Sequence, residues 1–161
     1  MPYLIDGHNL IPRVGLQLDS VDDELELIEL LQEFARLTRS TLEVYFDGAP
    51  VGQAGKRRYG RLTAIFVSLG SSADAAIQQR LRSLRGNARY WTVVSSDREV
   101  QRAAAAAKAT VEAAEEFSRR IRSSQEKSAV EEEAKRRNRE DGALPADEVQ
   151  HWLEVFKRRR D

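Results

Sequence analysis

The sequence predicts an α/β domain with a central, mostly parallel sheet that helices flank on both faces. Four short apolar runs alternate with stretches whose apolar residues recur at helical spacing, and strands connected through helices pair in parallel with right-handed crossovers. The length of 161 residues and the 41% hydrophobic content are sufficient for one such domain. Ligands of a sheet of this kind bind at the carboxyl ends of its strands.

The first half of the chain is predicted to fold as strand, helix and strand. An apolar run ends at Asp6, and Asp19 or Ser20 is placed to cap a helix with an acidic first turn and one apolar face. A second apolar run ends at Asp47. Residues 50–60, which follow it, are polar and rich in glycine, and this composition predicts a loop.

The second half predicts further strands, each followed by a helix. An apolar run over residues 62–67 precedes a helix that begins at Ala73 and carries Asp74 in its first turn. The next apolar run stops shortly before Asp97, which is placed to open another helix. A brief strand near Thr110 then leads into the last helix of the domain.

The C-terminal part of the chain is predicted to be a helical extension. Residues 123–143 are dominated by Glu, Lys and Arg, which predicts a charged helical linker. Residues 144–161 predict an amphipathic helix with the apolar residues Val149, Trp152, Leu153 and Phe156 on one face. We expect this helix to dock on the domain formed by residues 1–122, although a second copy or another protein could cover the same face.

Composition excludes several classes of site. Without cysteine the chain can form neither a disulfide nor a thiolate zinc site, and with only two histidines any metal must be held mainly by carboxylates. No window resembles a membrane span, and the N-terminus lacks the pattern of a secretion signal. We therefore expect a cytoplasmic protein that does not interact with membranes.

The net charge of zero hides a basic middle segment. Residues 1–50 contain 3 Lys or Arg against 10 Asp or Glu, whereas residues 51–100 contain 9 against 3. A segment with this positive excess can contact the phosphates of a polyanion, although solvated helices also show such asymmetry.

Four aspartates are predicted to converge at the carboxyl edge of the sheet. They follow apolar runs or open the helices after them, and they are Asp6, Asp47, Asp74 and Asp97. Carboxylates brought this close repel one another unless a cation neutralises them, and Mg²⁺ and Mn²⁺ favour oxygen ligands. Taken singly, Asp47 could be only a turn former and Asp97 only a helix cap.

Four segments carry these aspartates and their polar neighbours. The segments are LIDGHNLI at residues 4–11, VYFDG at 44–48, SADAAI at 72–77 and VVSSDRE at 93–99. In this order they resemble the motifs of the NYN domain, specifically of the YacP-like nucleases within the PIN-like group. The resemblance implies a PIN-like three-layer fold for residues 1–122.

The resemblance also implies an activity and roles for named residues. It implies a metal-dependent endoribonuclease. By the mechanism expected of such an enzyme, water activated by Mg²⁺ or Mn²⁺ would expel the 3′ oxygen and leave 5′-phosphate and 3′-hydroxyl ends. Asp6, Asp74 and Asp97 would form the acidic core that binds metal and catalyses cleavage. Asn9 would assist catalysis, and Asp47 would complete the metal ligands.

Two positions depart from the pattern of that family. His8 stands where the family commonly has tyrosine, and Ala75 stands where a second acidic residue often follows the aspartate of the third motif. Neither change removes a principal carboxylate, but the second could alter metal occupancy or preference. The competing hypothesis is a non-catalytic RNA-binding or scaffold protein that retains the fold.

The basic segment is the predicted RNA-binding element. Cations on both sides of an aromatic residue can bind the phosphate backbone of a nucleic-acid strand while a base stacks on the ring, although a solvated loop has the same composition. The predicted RNA contacts are Lys56, Arg57, Arg58, Tyr59, Arg61 and Ser96, the last of which could instead cap a helix. We expect single-stranded RNA as the partner. Ribosome association is implied by the resemblance alone. We expect the protein to be a monomer or a weak homodimer.

Overall fold

The structure is a computed structural model that describes residues 1–17, 22–142 and 146–159. The chain forms two compact units, Met1–Gln125 and Glu126–Asp161, which divide close to the predicted end of the first domain. The first unit contains the whole sheet and every aspartate predicted to form the site.

Six strands form one sheet, in which a single strand runs against the others. The strands are β1 Pro2–Asp6, β2 Thr41–Ala49, β3 Gly55–Tyr59, β4 Leu62–Ser68, β5 Thr92–Val94 and β6 Thr110–Glu112. Their order across the sheet is β3-β4-β2-β1-β5-β6, and only the β3–β4 pair is antiparallel. The predicted mostly parallel sheet is confirmed.

Helices connect the strands and continue beyond the sheet. They are α1 Gly7–Leu10, α2 Asp23–Thr38, α3 Ala73–Leu84, α4 Arg98–Ala106, α5 Ala114–Gly142 and α6 Ala146–Arg158, with 3₁₀ turns at Ile11–Val14 and Arg85–Tyr90. Residues 123–142 of the segment predicted as a linker are therefore the distal part of α5. None of the described helices combines the length and apolar character needed to cross a membrane.

The apolar residues of the first unit form one core on each face of the sheet. On one face Tyr3 packs against Phe34 of α2 and Phe117 of α5, with ring centroids 6.1 and 5.3 Å away. On the other face Leu4 belongs to a cluster with α3 and α4 that includes Ile77 and Val100. Successive residues of β1 thus point to opposite cores, which confirms the three-layer arrangement.

One prediction of local structure was wrong. The predicted loop at residues 50–60 contains β3, because Lys56, Arg57 and Arg58 pair in register with residues of β4. Lysine and arginine are common on edge strands, where they oppose pairing with other chains. The chain after Asp6 enters α1 directly.

Some predictions fall outside the described residues. Asp19 and Ser20, proposed as helix caps, are among them, and α2 begins after Asp22. The side chains of Val149 and Trp152 are also outside the described set. The docking of α6 on the first unit stays a prediction.

Candidate active site

The four predicted aspartates lie where strands of the sheet end and the following segments begin. Asp6 is the last residue of β1, and Asp47 lies near the end of β2, where the pairing with β4 shifts register. Asp74 is in the first turn of α3, which follows β4. Asp97 immediately precedes α4, after β5. Because these strands are parallel, all four residues lie at one edge.

Three carboxylates form a compact cluster at this edge. Oxygen atoms of Asp74, Asp97 and Glu99 all lie within 4.8 Å of one another. Asp97 Oδ1 also caps α4 by accepting the backbone N–H of Glu99 at 2.8 Å. The capping role considered for Asp97 is therefore present together with its place in the cluster. Sequence reasoning missed Glu99, although its position in the first turn after the cap is a usable signal.

Asp6 is buried beside this cluster. Its side chain accepts a hydrogen bond from the buried Ser95 hydroxyl at 3.4 Å, and the same hydroxyl accepts the backbone N–H of Asp97 at 3.1 Å. Burial, followed by the negative charges of Asp74 and Asp47, raises the pKa of Asp6 to about 6. Ser95 thus connects Asp6, in the segment at residues 4–11, with Asp97, in the segment at residues 93–99.

The charges at this edge also affect Asp74. Its pKa is raised first by burial and then by the negative charges of Asp97, Asp47 and Glu99. Where carboxylates converge without a counter-ion, they are expected to raise one another's pKa, because each negative charge disfavours ionisation of the next group. Oxygen ligands in such a cluster suit a hard divalent cation. The acidic group is therefore a candidate metal-binding group.

His8 links Asp47 to a carboxylate of α2. Its Nδ1 lies 3.3 Å from Asp47 Oδ1, and its Nε2 lies 3.8 Å from Glu24 Oε1. The ring packs on Phe46, with centroids 5.6 Å apart. His8 therefore contacts one of the predicted metal ligands. Glu24 was missed because its contact depends on how α2 packs.

Glycine is required beside His8. A Cβ atom at Gly7 would lie only 2.9 Å from the carbonyl oxygen of Tyr45 and would overlap the ring of Phe46. The chain can therefore turn from β1 into α1 against β2 only without a side chain here. This close packing places His8 and Asn9 at the sheet edge.

Ser96 is held by the start of α5. Its backbone N–H donates to Asn9 Oδ1 at 2.9 Å, and its hydroxyl donates to Glu115 Oε2 at 2.6 Å. The hydroxyl also accepts the backbone N–H of Ala114 at 3.0 Å, so its capping contact is with α5. Hydrogen bonds from Ser96 and Arg13 lower the pKa of Glu115 to about 2. The RNA contact of Ser96 stays a prediction.

The basic segment extends away from the carboxylates. Lys56 pairs with Ile65, whereas Tyr59 pairs with Leu62 at the amino end of β4. Because β3 runs antiparallel to β4, the segment leaves the carboxylate edge and ends at the opposite edge of the sheet. Arg57 lies over the ring of Phe66, 5.1 Å from its centroid.

A cavity of about 510 Å³ lies where the basic segment ends. Its lining combines guanidinium, carboxylate, amide and phenol groups, from Glu29, Gln32, Glu33, Arg36, Arg39, Tyr59, Gly60 and Arg61. Tyr59 also packs against the core, which limits how freely its ring can stack on a base. The structure thus places Tyr59 and Arg61 apart from the cluster of Asp74, Asp97 and Glu99.

Solved structures support the same architecture. A crystal structure of Rae1 (YacP) from Bacillus subtilis matches with a TM-score of 0.67 and 22% identity, covering 99% of this chain and 94% of that one. A tryptophan-to-leucine mutant of that Bacillus subtilis protein matches with a TM-score of 0.64 and 22% identity, over 90% and 85% of the two chains. At this identity the likeness shows the fold. No curated protein sequence matches the chain.

The family assignment depends on a match to nearly the whole sequence. The model described as the YacP-like NYN domain matches residues 3–157, which include all four segments that carry the aspartates. The chain belongs to the YacP-like NYN domain family, which is a nuclease-type family.

Proposed function

We propose that this protein is a metal-dependent endoribonuclease that hydrolyses single-stranded RNA at the carboxylate edge of its sheet. The observation that carries the proposal is the convergence there of Asp74, Asp97 and Glu99, whose oxygens lie within 4.8 Å. Buried Asp6 stands beside them. Carboxylates this close repel one another unless they are protonated or a cation offsets their charge.

The donor set fits Mg²⁺ or Mn²⁺. All of the side-chain donors in the cluster are oxygens, which these ions prefer, and open positions would remain for phosphate. We propose Asp6, Asp47, Asp74 and Asp97 as the metal-binding residues, with Glu99 added from the structure. Such a cation supplies positive charge to a phosphate that is gaining negative charge and lowers the pKa of the attacking water.

The protein's own groups position the substrate and control charge around it. The carboxylates of Asp6, Asp74 and Asp97 keep the edge strongly negative, so a phosphodiester can bind there only together with a cation. Asn9 offers an amide donor to a phosphate oxygen beside Asp6. Attack by water in line with the leaving 3′ oxygen would leave 5′-phosphate and 3′-hydroxyl ends.

The test is cleavage of single-stranded RNA by the purified protein. The reaction is run in Mg²⁺, in Mn²⁺ and in EDTA, and the end groups of the products are identified. We expect cleavage with either metal and none in EDTA. RNA binding without cleavage in any of the three would favour the non-catalytic RNA-binding alternative, whereas a 2′,3′-cyclic phosphate end would contradict the hydrolytic route.

Substitution of the β3 cations is expected to weaken RNA binding. Replacing Lys56, Arg57 and Arg58 with alanine removes three exposed charges and should flatten the plot of log affinity against log salt by up to about two units of slope. The measurement is fluorescence anisotropy of labelled RNA at several salt concentrations.

The matched control for this variant removes exposed arginines elsewhere. Arg119 and Arg122 lie on α5, and their double alanine variant should keep the original slope. An unchanged slope in the β3 variant would mean that these side chains are only solvated. Equal flattening in both variants would point to a nonspecific charge effect.

A further inference from the structure

The hydrogen bonds around Asn9 form a closed circuit. Arg13 donates from one guanidinium nitrogen to the Asn9 carbonyl at 2.7 Å and from Nε to Glu115 Oε1 at 2.9 Å. Glu115 Oε2 accepts the Ser96 hydroxyl at 2.6 Å, and the Ser96 backbone N–H returns to Asn9 Oδ1 at 2.9 Å. The circuit joins segments up to 102 positions apart in sequence.

This circuit determines which way the Asn9 carboxamide faces. A backbone N–H can only donate, so the atom facing Ser96 must be the carboxamide oxygen. The NH₂ group is consequently on the other side of the carboxamide, and within the described part of the chain no group accepts a hydrogen bond from it. Asn9 is half-buried, and its backbone N–H is hydrogen-bonded to Asp6. An oriented donor therefore stands beside the carboxylate cluster.

We propose that Arg13 and Glu115 are positioning residues that hold the Asn9 carboxamide with its NH₂ group presented to a phosphate oxygen of the substrate. The inference rests on the proposed function, because the phosphate substrate gives this donor its role. Neither residue touches the substrate. Arg13 fixes the backbone of Asn9, and Glu115 fixes the loop segment whose N–H holds the Asn9 oxygen.

A purely stabilising role does not account for this arrangement. Glu115 is exposed and Arg13 is half-buried, and ion pairs in such positions contribute little to stability. Both are instead used to orient groups next to the carboxylates, through charge-assisted hydrogen bonds that are shorter and stronger than neutral ones. Preorganised donors of this kind contribute to catalysis because they need not reorient during the reaction.

The first measurement follows the Asn9 side chain by NMR without any substrate. Its NH₂ signal is identified by its loss in Asn9→Ala. In the unchanged protein we expect an order parameter of about 0.8 for this group, and in Glu115→Ala a value below about 0.6. Glu116→Ala is the matched control, because it removes an exposed carboxylate from the same helical turn, and it should leave the signal unchanged.

The second measurement is a double-mutant cycle on RNA cleavage. Asn9→Ala should lower kcat at least about tenfold in the original protein but less than about threefold in the Glu115→Ala background, because residues in one network are not additive. Glu115→Gln retains one acceptor for Ser96 and should recover part of the lost rate. All variants should keep their melting temperature within about two degrees.

The outcomes separate this inference from the proposed function. If no RNA is cleaved but the NH₂ group loses order in Glu115→Ala, the nuclease proposal fails and the positioning circuit stands. An equally ordered NH₂ group in Glu115→Ala overturns the inference, whether or not RNA is cleaved. Equal losses from Asn9→Ala in both backgrounds would overturn it as well.

Discussion

Replacing Asp74 with asparagine is expected to lower RNA cleavage at least about a hundredfold, because the change removes negative charge from the centre of the proposed metal site. Asparagine has nearly the same shape, and Asp74 is only half-buried, so the fold should survive. The measurement is single-turnover cleavage of end-labelled RNA at saturating Mg²⁺ and again at saturating Mn²⁺. Asp6→Asn should show a loss of similar size.

The control for Asp74→Asn is Glu29→Gln. Glu29 lines the cavity at the opposite edge of the sheet, and its neutralisation should leave the rate unchanged. Undiminished turnover in a folded Asp74→Asn variant would remove Asp74 from the site. Equal losses in both variants would indicate a general effect of charge on RNA binding.

Asp97 requires a different substitution, because it also caps α4. Serine caps helices about as well as aspartate but carries no charge. Asp97→Ser should therefore retain the melting temperature while cleavage falls by a factor comparable to that of Asp74→Asn. A variant with full activity would show that capping is the whole role of Asp97.

Local sequence patterns predicted the parallel strands but not the edge strand. The apolar runs of β1, β2 and β4 are buried between two helical layers, so their composition indicates strands without knowledge of their neighbours. β3 consists of glycine, lysine, arginine and tyrosine, and its pairing depends on the adjacent β4. Strand propensity is weak compared with such tertiary pairing.

The same distinction holds at the candidate site. Parallel topology alone predicts that residues at the carboxyl ends of β1, β2, β4 and β5 meet at one edge, and the aspartates could be found in this way. The partners that orient the side chains at this edge could not be found from the sequence. His8 meets Glu24 only because α2 packs beside α1, and Arg13 meets Glu115 across 102 positions of sequence. Contacts of this kind leave no local pattern.

In EDTA, Asp6→Asn is expected to be more stable than the original protein at pH 7. The pKa of Asp6 rises from an ordinary 3.8 to about 6 on folding, first because of burial and then because of Asp74 and Asp47. The folded state therefore binds this proton more tightly than the unfolded chain, and ionised Asp6 disfavours folding. At 1.36 kcal/mol per pKa unit, the variant should gain up to about 3 kcal/mol.

The raised pKa of Asp6 also determines how the stability difference between the two proteins changes with pH. The stability that protonated Asp6 contributes is fully present below about pH 4 and is lost as the pH rises through about 6. The advantage of Asp6→Asn should consequently be greatest at pH 7 to 8 and should vanish near pH 4. Urea unfolding of both proteins across this range measures it, and a difference that is independent of pH would contradict it.

Divalent metal is expected to reduce the stability advantage of Asp6→Asn. A cation that binds only the folded state stabilises it by RT ln(1 + [L]/Kd), or about 2.7 kcal/mol at a hundred times Kd. The original protein should gain this stabilisation from Mn²⁺, whereas Asp6→Asn, with one carboxylate fewer, should gain less. Glu29→Gln should respond as the original protein does, because Glu29 lines the cavity beside Tyr59 and is not one of the clustered carboxylates. If Asp6→Asn gains as much stability from Mn²⁺ as the original protein does, Asp6 is not a metal ligand, and its burial has another role.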